Sequence, residues 1–72
     1  MIRLFIADDH PIVREGLKRI IAECSDMELV GEAVNGREAV QKAQELKPDL
    51  ILMDIAMPEL NGLEAARQIS KL

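Results

Sequence analysis

Leu4-Phe5-Ile6-Ala7-Asp8-Asp9 and, further along the chain, Leu50-Ile51-Leu52-Met53-Asp54 share one pattern: an apolar run that ends in aspartate. A run apolar on both faces reads as a strand of a parallel sheet, covered on both sides. Acids at the carboxyl ends of such strands gather at one rim of the sheet. Two carboxylates ~4 Å apart repel by about 4 kcal/mol at an effective dielectric of about 20. Three must therefore be offset by a cation, or one must hold a proton.

Outward from these runs the chain alternates strand and helix. Ile2 to Ala7 forms the first strand, and Pro11 suits the first turn of a helix, where its missing N–H costs nothing. Val13, Leu17, Ile20, Ile21 and Cys24 then fall at helical spacing and predict one apolar stripe. Arg14, Glu15, Lys18, Arg19 and Glu23 are expected on the solvated face, with kinase docking a lesser reading of its basic part. Met27 to Ala33 is a second strand, and Glu28 and Glu32 mark it as an edge. Asn35, three residues before Glu38, resembles a capping box and opens a helix running to about Leu46, with Val40, Ala43 and Leu46 inward. Lys47-Pro48-Asp49 ends it, because a residue before proline avoids the helical region. The third strand, Leu50 to Asp54, leads into a loop with Met57-Pro58. Asn61 can cap a third helix from about Gly62 to Lys71, with Leu63, Ala66, Ile69 and Leu72 apolar.

The order β-α-β-α-β-α with short connections predicts an α/β fold with a parallel sheet. If the first strand is central, the strand order is 2-1-3, and right-handed crossovers put the first two helices on opposite faces. Ligands in open α/β sheets bind at that reversal, outside the carboxyl ends of the strands. Asp8, Asp9 and Asp54 all belong there.

Composition narrows the function classes. At 72 residues the chain is at most one small domain. A chain this short buries only about 60% of its unfolded surface. With one Phe and no Trp or Tyr, the core is aliphatic, and bases have no aromatic platform to stack on. The net charge of −4 matches nucleic-acid phosphates poorly. Cys24, the single cysteine, reads as a small buried hydrophobe and fits a reducing cytosol. No apolar stretch approaches the ~20 residues that span a bilayer.

Without cysteine or clustered histidine, the rim offers hard oxygen donors, which suit Mg²⁺. A carboxylate beside Mg²⁺ can act as a nucleophile toward phosphorus. The spacing alone leaves open a second reading, in which the three acids are helix caps and loop residues.

Phe5-Ile6-Ala7-Asp8-Asp9-His10-Pro11 with Val13-Arg14-Glu15-Gly16-Leu17 resembles the opening of a response-regulator receiver domain. Asp49 to Gly62 resembles the phosphoacceptor segment of that family, and Val30-Gly31-Glu32-Ala33 and Asn35-Gly36 fit as well. Asp-Asp-His-Pro is similar to the NarL/LuxR-type subgroup, which carries a helix-turn-helix output domain. The resemblance implies a flavodoxin-like (CheY-like) fold, here truncated to βαβαβα. It implies that Asp54 accepts phosphate from a sensor histidine kinase. Asp8 and Asp9, with Asp54 and the backbone carbonyl of Ala56, would hold Mg²⁺. Met57-Pro58 and Gly62 would shape the loop after Asp54. His10 is read as a cap of the first helix or a residue over the site, rather than as a phosphodonor or metal ligand.

The family pattern adds two strands and two helices, with a Thr or Ser ending the fourth strand and a Lys ending the fifth. Residues 1–72 are therefore expected to be the N-terminal part of a receiver in a cytoplasmic transcription regulator. DNA would be bound only through an output domain outside them. Lys71 is not that lysine, because it ends the third helix. Without its neighbour the third strand is an exposed apolar edge, and self-association through it is expected. The chain is not expected to be an enzyme. The alternatives are a self-associating half-domain without phosphotransfer and a Mg²⁺-dependent phosphohydrolase. The latter is opposed by the lack of a second aspartate two residues after Asp54.

Overall fold

The computed structural model describes residues 1–54 and 62–71. The elements are β1 (Ile2–Ala7), α1 (Pro11–Ala22), β2 (Met27–Ala33), α2 (Gly36–Leu46), β3 (Leu50–Met53) and α3 (Gly62–Ile69). The three strands form one sheet in the order β2-β1-β3, and both pairings are parallel. This is the expected topology, with β1 central and the rim at its carboxyl end. No helix among the described residues is long and apolar enough to cross a membrane.

Alternation along β1 divides the core in two. Phe5 and Ala7 pack on one side with Ala33, Ala39, Leu46, Ile51 and Met53. Leu4 and Ile6 pack on the other with Leu17, Ile21, Met27 and Leu29. α2 comes close to the sheet because its inward positions are small: Gly36, Ala39 and Ala43 are all buried. Its N-cap forms as expected, Glu38 N donating to Asn35 Oδ1 at 2.8 Å. The Glu38 carboxylate engages Lys42 Nζ at 3.2 Å.

The register of β1 against β2 shifts by one residue. Leu4 faces Leu29, while Phe5 faces Gly31, so Val30 is a bulge. At the far end of the sheet Asp49 N donates to Arg3 O at 2.8 Å. Arg3 N and Nη1 return bonds to Asp49 Oδ2 and to the Lys47 carbonyl, at 2.8 and 3.0 Å. Lys47 closes α2 in the left-handed region, with φ 47° and ψ 60°. It leaves the right-handed region, as a residue before proline does, and its N–H still bonds Ala43 O.

Several expected faces are corrected. On α1, Val13 and Ile20 are 45% and 62% exposed. The Arg14 side chain, expected in solvent, is only 16% exposed. The helix is rolled toward β2, where Arg14 and Lys18 meet Glu32. On β3, Ile51 and Met53 are covered, but Leu50 and Leu52 are 46% and 37% exposed, because α1 lies over β1 and β2. Cover on both faces of β3, expected from its sequence, is therefore made on one. On α3, among the residues whose burial is described, Ala65 is buried and Ala66 is exposed. Leu72 and Asn61 lie outside the described residues.

Candidate functional site

Backbone pairing delivers the acids to the rim. Asp8 follows the last residue of β1, and its N–H bonds Ala33 O at 3.0 Å. Asp54 follows β3, and its N–H bonds Ala7 O at 2.9 Å. The sheet's own ladders therefore run one residue past the strands and fix where both carboxylates start. Asp9 begins the turn into α1. One donor atom from each of Asp8, Asp9, His10 and Asp54 lies within 4.8 Å of the others. The three aspartates are half-buried, while His10 is 61% exposed.

His10 occupies the N-cap of α1, yet its side chain makes no capping bond. Its ring turns to the acids instead. Nδ1 lies 2.7 Å from Asp8 Oδ1, 3.1 Å from Asp9 Oδ1 and 3.4 Å from Asp54 Oδ2. The His10 backbone N–H also donates to Asp8 Oδ1 at 2.8 Å. Of the two positions expected for His10, the structure has the one over the site.

The electrostatics follow from this arrangement. The hydrogen bond to Asp8, with the Asp9 charge next, raises the His10 imidazole above its ordinary pKa. Burial alone would raise the Asp8 carboxyl, but the His10 N–H, the His10 ring and Arg14 together hold it below the usual carboxylate value. Asp9 Oδ1 is buried and without a hydrogen bond. It is within ion-pair range of His10 Nδ1, but no hydrogen bond is made there.

This donor set fits a hard divalent cation. Carboxylate oxygens of three aspartates lie together at the rim, and one buried oxygen lacks a donor. Mg²⁺ is held by one or two carboxylates with several waters and substrate phosphate, so three acids at an open rim supply enough protein ligands. Ala56, whose carbonyl is the remaining expected ligand, lies outside the described residues, as do Met57 and Pro58. Gly62 is the first residue of α3.

Arg14 was missed from sequence alone. Its Nη1 donates to the Asp8 carbonyl at 3.0 Å, and its Nε reaches Glu32, so it braces the turn that carries the acids. The available signal was Glu32 itself, an acid within a mostly apolar strand that calls for a cationic partner.

Comparison with known proteins gives concordant matches. Residues 4–72 match the family model described as "Response regulator receiver domain". The chain is 52% identical over 71 residues to the transcriptional regulatory protein YdfI of Bacillus subtilis, covering 99% of this chain and 33% of that protein. Its fold superposes on the response regulator domain of Thermotoga maritima CheB with a TM-score of 0.96 and 54% identity, covering 99% of this chain and 53% of that one. A third match is a structure titled as the CheX-CheY-BeF3-Mg+2 complex from Borrelia burgdorferi. Its TM-score is 0.88 and its identity 25%, over 97% of this chain and 53% of that one. The chain spans about a third of the length of the curated relatives it matches.

Proposed function

This chain belongs to the response regulator receiver domain family, and from that membership we propose that Asp54 accepts a phosphoryl group from a sensor histidine kinase. The observation that carries the proposal is the convergence of Asp8, Asp9 and Asp54 at the carboxyl rim of the sheet. An Asp54 carboxylate oxygen attacks phosphorus on a kinase phosphohistidine. An O–P bond forms, the N–P bond breaks, and the imidazole nitrogen keeps the electron pair and takes up a proton.

Asp8 and Asp9, with Asp54 and the Ala56 carbonyl, are the residues that would hold Mg²⁺, which supplies neutralisation of charge on the transferring oxygens. The donor chemistry supports this, as does the Mg²⁺ named in the Borrelia complex. Arg14 positions Asp8 by its bond to that residue's carbonyl. The phosphoryl group adds about −1.5 to −2 charge at the rim.

The residues would act as the N-terminal part of a longer cytoplasmic regulator. Its effect on transcription, the role in the name of the YdfI relative, would pass through a DNA-binding output domain. A second reading has its own observation. The exposed Leu50 and Leu52 on β3 favour pairing with another copy, in a half-domain that assembles without phosphotransfer.

Incubation with Mg²⁺ and acetyl phosphate, followed by intact-mass measurement, separates the readings. A gain of one phosphoryl group that is lost in Asp54→Asn is expected. A gain that persists in that variant removes Asp54 as acceptor. No gain at all, with concentration-dependent association, leaves the half-domain. Turnover of a phosphomonoester would identify a hydrolase.

A further inference from the structure

We propose that Glu32 is a positioning residue for the phosphoacceptor site: it holds Arg14 so that the guanidinium pins the peptide between Asp8 and Asp9. The inference rests on the reading of Asp54 as phosphoacceptor beside a Mg²⁺ held by Asp8 and Asp9.

Three observations carry it. First, Glu32 ties both flanking helices to the end of β2. Its carboxylate accepts from Arg14 Nε and Lys18 Nζ of α1, each at 3.1 Å. Its backbone carbonyl accepts from Lys42 Nζ of α2 at 2.8 Å. Second, Glu32 stands opposite Ile6 in the β1–β2 ladder, two residues before Asp8. Arg14 spans that interval, with Nε on Glu32 and Nη1 donating to the Asp8 carbonyl at 3.0 Å. Third, the Arg14 side chain is only 16% exposed, so water and salt weaken this bridge less than they would a surface pair.

The effect on the acids follows from the planarity of the peptide. Asp8 N–H is held by Ala33 O at 3.0 Å, and Arg14 holds the Asp8 carbonyl, so the backbone is fixed on both sides of that residue. Because the peptide unit is planar, the direction of the carbonyl sets where the nitrogen and Cα of Asp9 lie. One contact therefore places two consecutive carboxylates. A free arginine spreads over many rotamers, and ordering it opposes the bond to Asp8. Glu32 orders the side chain beforehand through a charge-assisted bond at Nε. Lysine cannot replace Arg14 here, because its ammonium is a point donor without the planar fork that spans the two partners.

Mg²⁺ is titrated into the full chain and its variants while the amide resonances of Asp8 and Asp9 are followed by NMR, with circular dichroism to verify folding. The rate of phosphoryl gain from acetyl phosphate is measured over the same Mg²⁺ range. Glu32→Met and Arg14→Lys should each weaken Mg²⁺ binding by about tenfold, the lower end of what disturbing the groups behind a metal's ligands does. The Mg²⁺ concentration that half-saturates phosphoryl gain should rise by the same factor, with the rate at saturating Mg²⁺ close to wild type. Glu32→Gln keeps an acceptor for Arg14 Nε and should retain most of the affinity. Lys18→Met leaves the bridge in place and should do the same. Glu32→Met and Glu32→Gln carry the same charge, so equal losses in the two would trace the effect to the field of Glu32 and overturn its grip on Arg14. Wild-type affinity in Glu32→Met, or a loss in Lys18→Met as large as in Glu32→Met, would overturn it too. Each of these outcomes leaves Asp54 standing as acceptor. A wild-type chain whose resonances do not respond to Mg²⁺ overturns the cation reading and the inference with it.

Discussion

Arg14 on α1 reaches Glu32 on β2, Nε donating to Oε1 at 3.1 Å. Lys18 Nζ donates to the other oxygen of the same carboxylate, also at 3.1 Å. One acid thus ties the first helix to the edge strand at two points. The Lys18 hydrogen bond, foremost, holds Glu32 below its ordinary value, with burial opposing and the charges of Lys18 and Arg14 assisting. A depressed folded pKa contributes stability above the unfolded value, near 4.5, and loses it as pH falls through the folded value. Thermal midpoints measured from neutrality down through the carboxylate range should fall more steeply for the wild type than for Glu32→Gln. The two curves should converge in acid. Parallel curves would remove Glu32 from the account of acid stability.

Gly16 lies within α1, and a Cβ there would meet nothing within 4 Å. Glycine in a helix interior costs roughly 0.5–1 kcal/mol relative to alanine, through backbone entropy. Gly16→Ala should therefore stabilise the chain by about that amount in urea denaturation. A loss of stability would mean that this face of α1 is occupied by something in solution.

Gly31 presents the opposite case. A Cβ at this position would lie 2.6 Å from Leu46 Cδ1 and 3.4 Å from two carbons of the Phe5 ring. Leu46 contributes the end of a flexible side chain, so Gly31→Ala is expected to cost about 1 kcal/mol as that side chain shifts. The two methyl groups of Gly31→Val cannot both be accommodated by Leu46 and also press on Phe5, which is fully buried. A cost of about 1–3 kcal/mol is expected, typical of overpacking. Wild-type stability for the valine variant would contradict the close approach.

The sheet and its acids were legible because they depend on local signals. Leu4 to Ala7 and Leu50 to Met53 are apolar without interruption, so both read as strands of a parallel sheet, and with β1 central the acids after β1 and β3 share a rim. Helix facing was less legible. Periodicity groups Val13, Leu17, Ile20 and Ile21 on one stripe but does not say what opposes the stripe. The opposing surface is β2, whose Glu32 draws in Arg14 and Lys18 and leaves Val13 and Ile20 toward solvent. The bulge at Val30 is a property of the β1–β2 pair, and one strand's sequence carries no sign of it. His10 was ambiguous for a similar reason. An N-cap position offers a side chain two sets of partners, and only the placed carboxylates decide between them.

Among the described residues β3 pairs only with β1, so its other edge offers free backbone groups beside Leu50 and Leu52. Each leucine fully buried is worth about 1.5–3 kcal/mol, and the strand edge adds backbone hydrogen bonds. A stable interface needs more than two side chains, on the order of 1,000 Å² in total. Leu17 of α1 lines a shallow pocket with Leu52, and Val13 and Ile20 of the same helix are exposed as well. Sedimentation velocity over a range of concentrations should therefore show a self-associating chain. Leu52→Lys should shift it toward monomer at unchanged helicity, because Leu52 is already partly in water and a charge on an edge strand opposes pairing. A wild-type chain that stays monomeric at every concentration would reject pairing through β3. Association that Leu52→Lys leaves intact would place the contact elsewhere.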